Sequence, residues 1–219
     1  MGSGRISGFP WLDGEDRADF HYASLAAKVL CDRHNSVLSP LDGEAGRLFE
    51  TLGEIDRKLG DDAAPASSRE YFLNGADLER WLLKALLGMT HADGATQSGV
   101  RGERQLVSVL FGHASWQPWW GLHLIGRPTH YFCGLATRAL LNRQEIWGME
   151  ISVAGLVFQL ALGEADRDVA GYHPSGVHFS YRGRPGVQTV TFRWPGRPYA
   201  QYMEARREGP YEGEALRYL

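Results

Sequence analysis

The hydrophobic period of this chain changes near residue 115. Before that point apolar residues recur at helical spacing. Leu41, Ala45, Leu48, Phe49, Leu52, Ile55 and Leu59 mark one side of a helix, and Leu78, Trp81, Leu82, Ala85, Leu86 and Met89 mark one side of another. After it the apolar residues form short runs punctuated by Gly, Pro, Asn and Asp. These runs predict strands over 121–125, 131–141, 145–162, 177–181 and 187–194. Val187, Thr189 and Thr191 alternate with Gln188, Val190 and Phe192, which suits a half-buried strand. Helices followed by strands, without β-α-β alternation, predict an α+β fold in which N-terminal helices pack on a C-terminal antiparallel β-sheet.

Local signals place the boundaries. Residues 1–16 are rich in Gly, Asp and Ser and read as a flexible lead-in. Residues 17–205 read as a single domain, helical over 17–112 and β-rich over 115–205, and 206–219 as a charged tail. A first helix is expected over 17–30, with Phe20, Leu25, Val29 and Leu30 on its apolar side. Ser39-Pro40-Leu41-Asp42 fits a capping serine, a proline at the first helical position and an acid at the third, with Gly60 ending that helix. Residues 70–73 suit a short strand, Asn74-Gly75 a turn, 91–102 a loop and 106–111 a third helix. Trp81 falls on the core side of its helix, with Glu79, Arg80 and Lys84 as its wet side.

Composition narrows the functional classes. A chain of 219 residues with 43% hydrophobic residues can bury a substantial core. The net charge of -3 gives no global attraction to nucleic acid, so any such contact must be a local patch. Two cysteines, Cys31 and Cys133, are no disulfide framework. The first residues lack an apolar stretch, and Ile151–Leu162 is too short to cross a bilayer. A cytoplasmic chain without a membrane partner is expected. There is no phosphate-binding glycine loop, no His-Glu-x-x-His and no nucleophile elbow, so no small-molecule cofactor is indicated.

The chemistry-bearing residues gather in Cys31-Asp32-Arg33-His34-Asn35. Cys31 and His34 have the spacing of the local half of a zinc site. The same pair also fits a small buried cysteine beside a capping histidine, or a thiol activated by an imidazole. Val29-Leu30-Cys31-Asp32-Arg33-His34-Asn35, continued by Leu38, Ser39 and Asp42, resembles the second half of an HNH-type zinc-finger nuclease signature. In that family a hydrophobic strand end runs into Leu-Cys-x-x-Cys-Asn and then a helix. Here His34 stands at the second cysteine and Asn35 at the asparagine. The resemblance implies His21, His34 and Asn35 as catalytic residues near a divalent metal, Zn or Mg, with Cys31 and His34 as metal ligands. Residues 1–30 contain no cysteine and a single histidine, His21, so the upstream half of the signature is missing. The chain also resembles a group of uncharacterised bacterial proteins that carry Leu-Cys-x-x-His-Asn-x-x-Leu-Ser-Pro-Leu-Asp and a helix like Glu79–Lys84; this implies a fold and no activity.

Two further features suit binding. Trp116, Trp119 and Trp120 flank a proline and can form a stacking platform or plug the seam between helices and sheet. Arg182, Arg184, Arg193 and Arg197 lie among aromatic residues near the C-terminus, a pattern suited to phosphate contact with base stacking. The leading expectation is a binding protein with a degenerate HNH-like helix start, contacting nucleic acid or another protein. The alternatives are a metal-dependent HNH-type nuclease and an interaction or inhibitor module using the tryptophan loop.

Overall fold

The structure is a computed structural model. It describes residues 3–12, 18–21, 30–60, 67–91, 100, 102–118, 120–125, 135–142, 145–163, 172–181, 186–195 and 203–207, with backbone alone at 3, 10, 18–21, 59–60, 181 and 203–207. The elements run β1 (Ser3–Ser7), a 3-10 turn (Pro10–Leu12), β2 (Ala18–His21), α1 (Asp32–Gly60), β3 (Arg69–Asn74), α2 (Gly75–Thr90), α3 (Glu103–Leu110), β4 (Gly121–Ile125), β5 (Ala136–Asn142), β6 (Glu145–Val153), β7 (Leu156–Ala161), β8 (Gly176–Tyr181), β9 (Gln188–Arg193) and β10 (Met203–Arg207). The fold class is α+β. The strands form a six-stranded sheet in the order β2-β1-β5-β6-β7-β4 and a four-stranded sheet in the order β10-β8-β9-β3.

Antiparallel pairing runs through β5, β6, β7 and β4, but the sheets are mixed. The β1–β5, β3–β9 and β10–β8 pairs are parallel. Strands from the N-terminal half therefore enter both sheets. Residues 3–12, read from the sequence as a loose lead-in, supply β1 and bury Ile6, Phe9 and Leu12. Ala18–His21, expected as helix, is β2, paired antiparallel with β1 from Ser3↔His21 onward. Residues 22–29 of that expected helix lie outside the described residues. The expected tail from residue 206 overlaps β10, whose backbone pairs with β8. The long strand expected over 145–162 is a hairpin, β6 and β7. Ala154 (φ 47°) and Gly155 (φ 79°) turn the chain between them. Two positive-φ residues are what a tight two-residue hairpin requires, and an alanine in the first place hides the signal.

Helix α1 starts at Asp32, seven residues before the expected cap. Ser39 and Pro40 lie inside it. Proline has no N–H, so it leaves the carbonyl four residues back without its helical partner. That carbonyl belongs to Ser36, and the Ser39 hydroxyl donates to it at 2.9 Å. Ser39 thus replaces the missing bond rather than capping the helix. Beyond the proline the buried stripe is the one expected: Leu41, Ala45, Leu48, Leu52 and Ile55. Before it, residues 31–37 are all exposed.

Helix α2 is bounded by its own chemistry. Asn74, expected in a turn, is its N-cap, with Oδ1 accepting from the N–H groups of Ala76 and Asp77. Its core side is Leu78, Leu82, Leu83, Leu86 and Leu87. A fully buried leucine contributes about 1.5–3 kcal/mol, so these residues fix the helix firmly. The two sheets meet where Phe158 of β7 and Phe192 of β9 stand edge to face, 6.1 Å between centroids. Among the described residues no helix is long and apolar enough to cross a membrane.

Candidate functional site

Cys31 immediately precedes α1, and its carbonyl accepts from the Asn35 N–H at 2.9 Å. One helical turn carries His34 back over it, leaving Cys31 Sγ 3.2 Å from His34 Nδ1. Cys31 is exposed, not the small buried residue that one sequence reading allowed, and His34 and Asn35 are exposed beside it. The His34 ring meets the edge of Phe111 at 5.3 Å, and Phe111 stacks on His113 at 6.4 Å, so a phenyl ring stands between the two imidazoles. Among the described residues no three His, Cys, Asp or Glu side chains are placed to hold one metal ion. The donors present are one sulfur and one nitrogen. Their type suits zinc, and their number is half of a four-ligand set. Of His21 the backbone position in β2 is described and the side chain is not; Cys133 lies outside the described residues.

A second cluster is buried. Glu79, expected on the wet side of α2, is 0% exposed, and His173 is 1% exposed. His173 Nε2 lies 2.8 Å from Glu79 Oε1, and the same oxygen accepts the Leu122 N–H at 2.9 Å. The Leu122 carbonyl in turn accepts from the His173 N–H at 3.0 Å. The carboxylate thus ties α2, the sheet-edge strand β4 and the segment leading to β8. Gly121 (φ +154°) brings its backbone so close that a Cβ there would meet Glu79 Oε1 and lie 2.8 Å from His173 Nε2. The rings of His123, Tyr172, His173 and Trp194 follow one another at 4.9, 3.8 and 4.4 Å. Trp194 donates to the Pro174 carbonyl at 2.7 Å. Paired leucines at 82–83 and 86–87 are the sequence signal for this burial: they widen the apolar face of α2 until it includes position 79. Arg80 does not face open water either, since Nε and Nη2 donate to the Leu110 carbonyl at 3.0 and 2.6 Å, closing the end of α3. Lys84 reaches Asp42 of α1 at 2.6 Å.

The third region is the outer face of the four-stranded sheet. Register sets Glu70 beside Thr189, Phe72 beside Thr191 and Asn74 beside Arg193. Leu73, Val190 and Phe192 point to the core, so Phe72 and Arg193 point out. Phe72 is 47% exposed, and the Arg193 guanidinium lies over its ring at 4.6 Å. Thr191 Oγ1 donates to Glu70 Oε1 at 2.7 Å, and His178 Nδ1 lies 3.0 Å from Thr189 Oγ1.

No protein-family model, curated protein or solved structure matches this chain. Of the sequence candidates, Cys31, His34 and Asn35 come together at the start of α1, while Arg193 stands on a different face. Trp116 and Trp120 are half-buried and pack against the core, and the Trp120 carbonyl accepts from the Tyr172 hydroxyl at 3.1 Å. Trp119, Arg182, Arg184 and Arg197 lie outside the described residues. Sequence reasoning missed Phe72. Its signal was the alternation Glu70, Phe72, Asn74 against Tyr71 and Leu73, which places an aromatic ring on the polar face of a strand.

Proposed function

We propose that this chain is a nucleic-acid-binding protein that does not cut its ligand, and that its HNH-like helix start serves structure. One observation carries the reading: an exposed phenyl ring and a guanidinium lie together, Phe72 under Arg193, on the outer face of a sheet. Among the described residues no acidic side chain is bonded to Arg193. An aromatic ring offers a stacking surface to any base, and a free guanidinium offers charge to phosphate. The net charge of -3 confines this attraction to the local face and favours a short contact over a long groove. The reading puts the chain in the cytoplasm, where such ligands are present.

Fluorescence anisotropy with a labelled, mixed-sequence 12-nucleotide single strand tests it. Saturable binding that weakens as salt rises is expected. Phe72→Ala and Arg193→Glu should each weaken it about tenfold, in line with the loss of one stacked base or one phosphate contact. Absence of binding at low salt, or two variants that bind like the parent, would remove the proposal.

A second reading has its own observation, the 3.2 Å approach of Cys31 and His34. If a divalent metal is bound there with further ligands, the chain is a metal-dependent nuclease using His21, His34 and Asn35. Stoichiometric zinc that is lost in Cys31→Ala, together with plasmid cleavage in Mg²⁺ that is lost in His34→Ala, would establish that reading over the first.

A further inference from the structure

The outer face of β3 and β9 is ordered along its length. Successive outward residues on a strand stand about 7 Å apart. On β3 they are Glu70 and then Phe72, and Arg193 of β9 follows in the next row, in register with Asn74. Asn74 is itself committed to capping α2. The row thus presents a carboxylate, a ring and a guanidinium in sequence. Thr191, in register with Phe72, donates its hydroxyl diagonally to Glu70 Oε1 at 2.7 Å. That bond draws the carboxylate toward the ring and fixes its direction. Among the described residues it is the sole hydrogen bond to Glu70, which leaves Oε2 and one lone pair of Oε1 open.

A nucleotide has the matching order: base edge, base face, phosphate. We propose that Glu70, Phe72 and Arg193 form a subsite for one guanine nucleotide of a single strand; this rests on the nucleic-acid-binding reading and gives it a specificity. The choice of base follows from the carboxylate, which only accepts hydrogen bonds. Guanine presents two parallel donors, N1–H and an N2–H, to its two oxygens. Adenine presents one donor beside the N1 lone pair, and cytosine one donor beside the N3 lone pair. Uracil presents a single N–H between two carbonyl oxygens. On the Watson–Crick edge only guanine gives both carboxylate oxygens a donor. The base stacks on Phe72 where the guanidinium now lies, and Arg193 swings outward to the phosphate, a movement its long side chain makes without a change of backbone. A single strand is required because pairing hides both the base face and this edge.

The test uses ten-nucleotide uridine-rich RNAs that differ only at one central position, G, A, C or U, read by anisotropy against the full chain. The G strand should bind about tenfold tighter than the other three, as expected for one bidentate pair. Glu70→Gln should erase that preference, because an amide offers one donor and one acceptor and can face adenine, cytosine or uracil as well as guanine. Phe72→Ala should weaken all four strands together. An unchanged melting temperature in Glu70→Gln shows that the effect belongs to the site. If the parent binds the four strands equally, or Glu70→Gln keeps the preference for G, the guanine subsite is wrong while nucleic-acid binding stands. If none of the four strands binds, both fall.

Discussion

Glu79 and Glu70 are each oriented by a neighbouring group, yet one sits in a sealed seam and the other on an open face. Around Glu79 the described contacts close the structure. His173, the Leu122 amide and the backbone of Gly121 crowd one carboxylate and join a helix, a sheet edge and the approach to the second sheet. Around Glu70, which is exposed, a threonine is the one hydrogen-bond partner among the described residues. Burial and directed hydrogen bonding thus separate a carboxylate that holds the fold from one that is available to a ligand. A second buried carboxylate supports the same division: Glu44 of α1, bonded to Arg47, accepts the Asn74 N–H at 2.6 Å where β3 passes into α2.

The comparison breaks most readily at Glu79. Glu79→Ala removes the acceptor shared by His173 Nε2 and the buried Leu122 amide, and a loss of about 2–4 kcal/mol is expected in urea unfolding. Glu70→Ala should cost under about 0.5 kcal/mol in the same assay, as for other surface changes. Equal losses would show that the two carboxylates do the same work. Gly121→Ala sharpens the seam further. The added methyl meets Glu79 and His173, and the backbone there is unfavourable for alanine, so a loss of about 1–3 kcal/mol is expected.

Smaller effects belong to α1. Ser39→Ala removes the hydroxyl that replaces the proline's missing N–H, and the exposed setting limits the loss to about 0.5 kcal/mol by urea unfolding. The smallest concerns Glu54, which accepts from Lys58 and Arg69 at 2.7 Å each. The Lys58 hydrogen bond holds its carboxyl below the usual range, and the same bond holds Lys58 above its own. Stability from Glu54 is therefore present above the ordinary carboxylate range and lost as pH falls through its lowered value. That from Lys58 is present below the ordinary lysine range and lost as pH rises through its raised value. Both side chains are about a third exposed, so Glu54→Gln should flatten the acid limb of the unfolding free energy against pH, read by urea titration, by only a few tenths of a kcal/mol.

Much of the helical half was legible because Leu41 through Ile55 and Leu78 through Leu86 obey one period and are buried on that account. The strands that close the sheets were harder to read. β1 is short and carries Ser, Gly and Arg; besides the nearby β2 it is held by β5, over a hundred residues away, which no local pattern reveals. The start of α1 was misread because Ser39-Pro40 is a strong local boundary signal that a side-chain bond overrules. The Cys31–His34 approach follows from its spacing on a turn. The Phe72–Arg193 contact depends on parallel pairing of β3 with β9, which the sequence does not announce.

Pro40 has a mechanical consequence. It divides α1 into an exposed stretch over 32–37 and a packed stretch from Leu38 onward, joined through a hydroxyl in place of an amide. Unwinding the first turns costs little buried surface and leaves the rest of the helix seated. Amide protons of 33–36 will therefore trade with deuterated water ahead of those near Leu48 and Leu52, and the thiol of Cys31 travels with the faster portion.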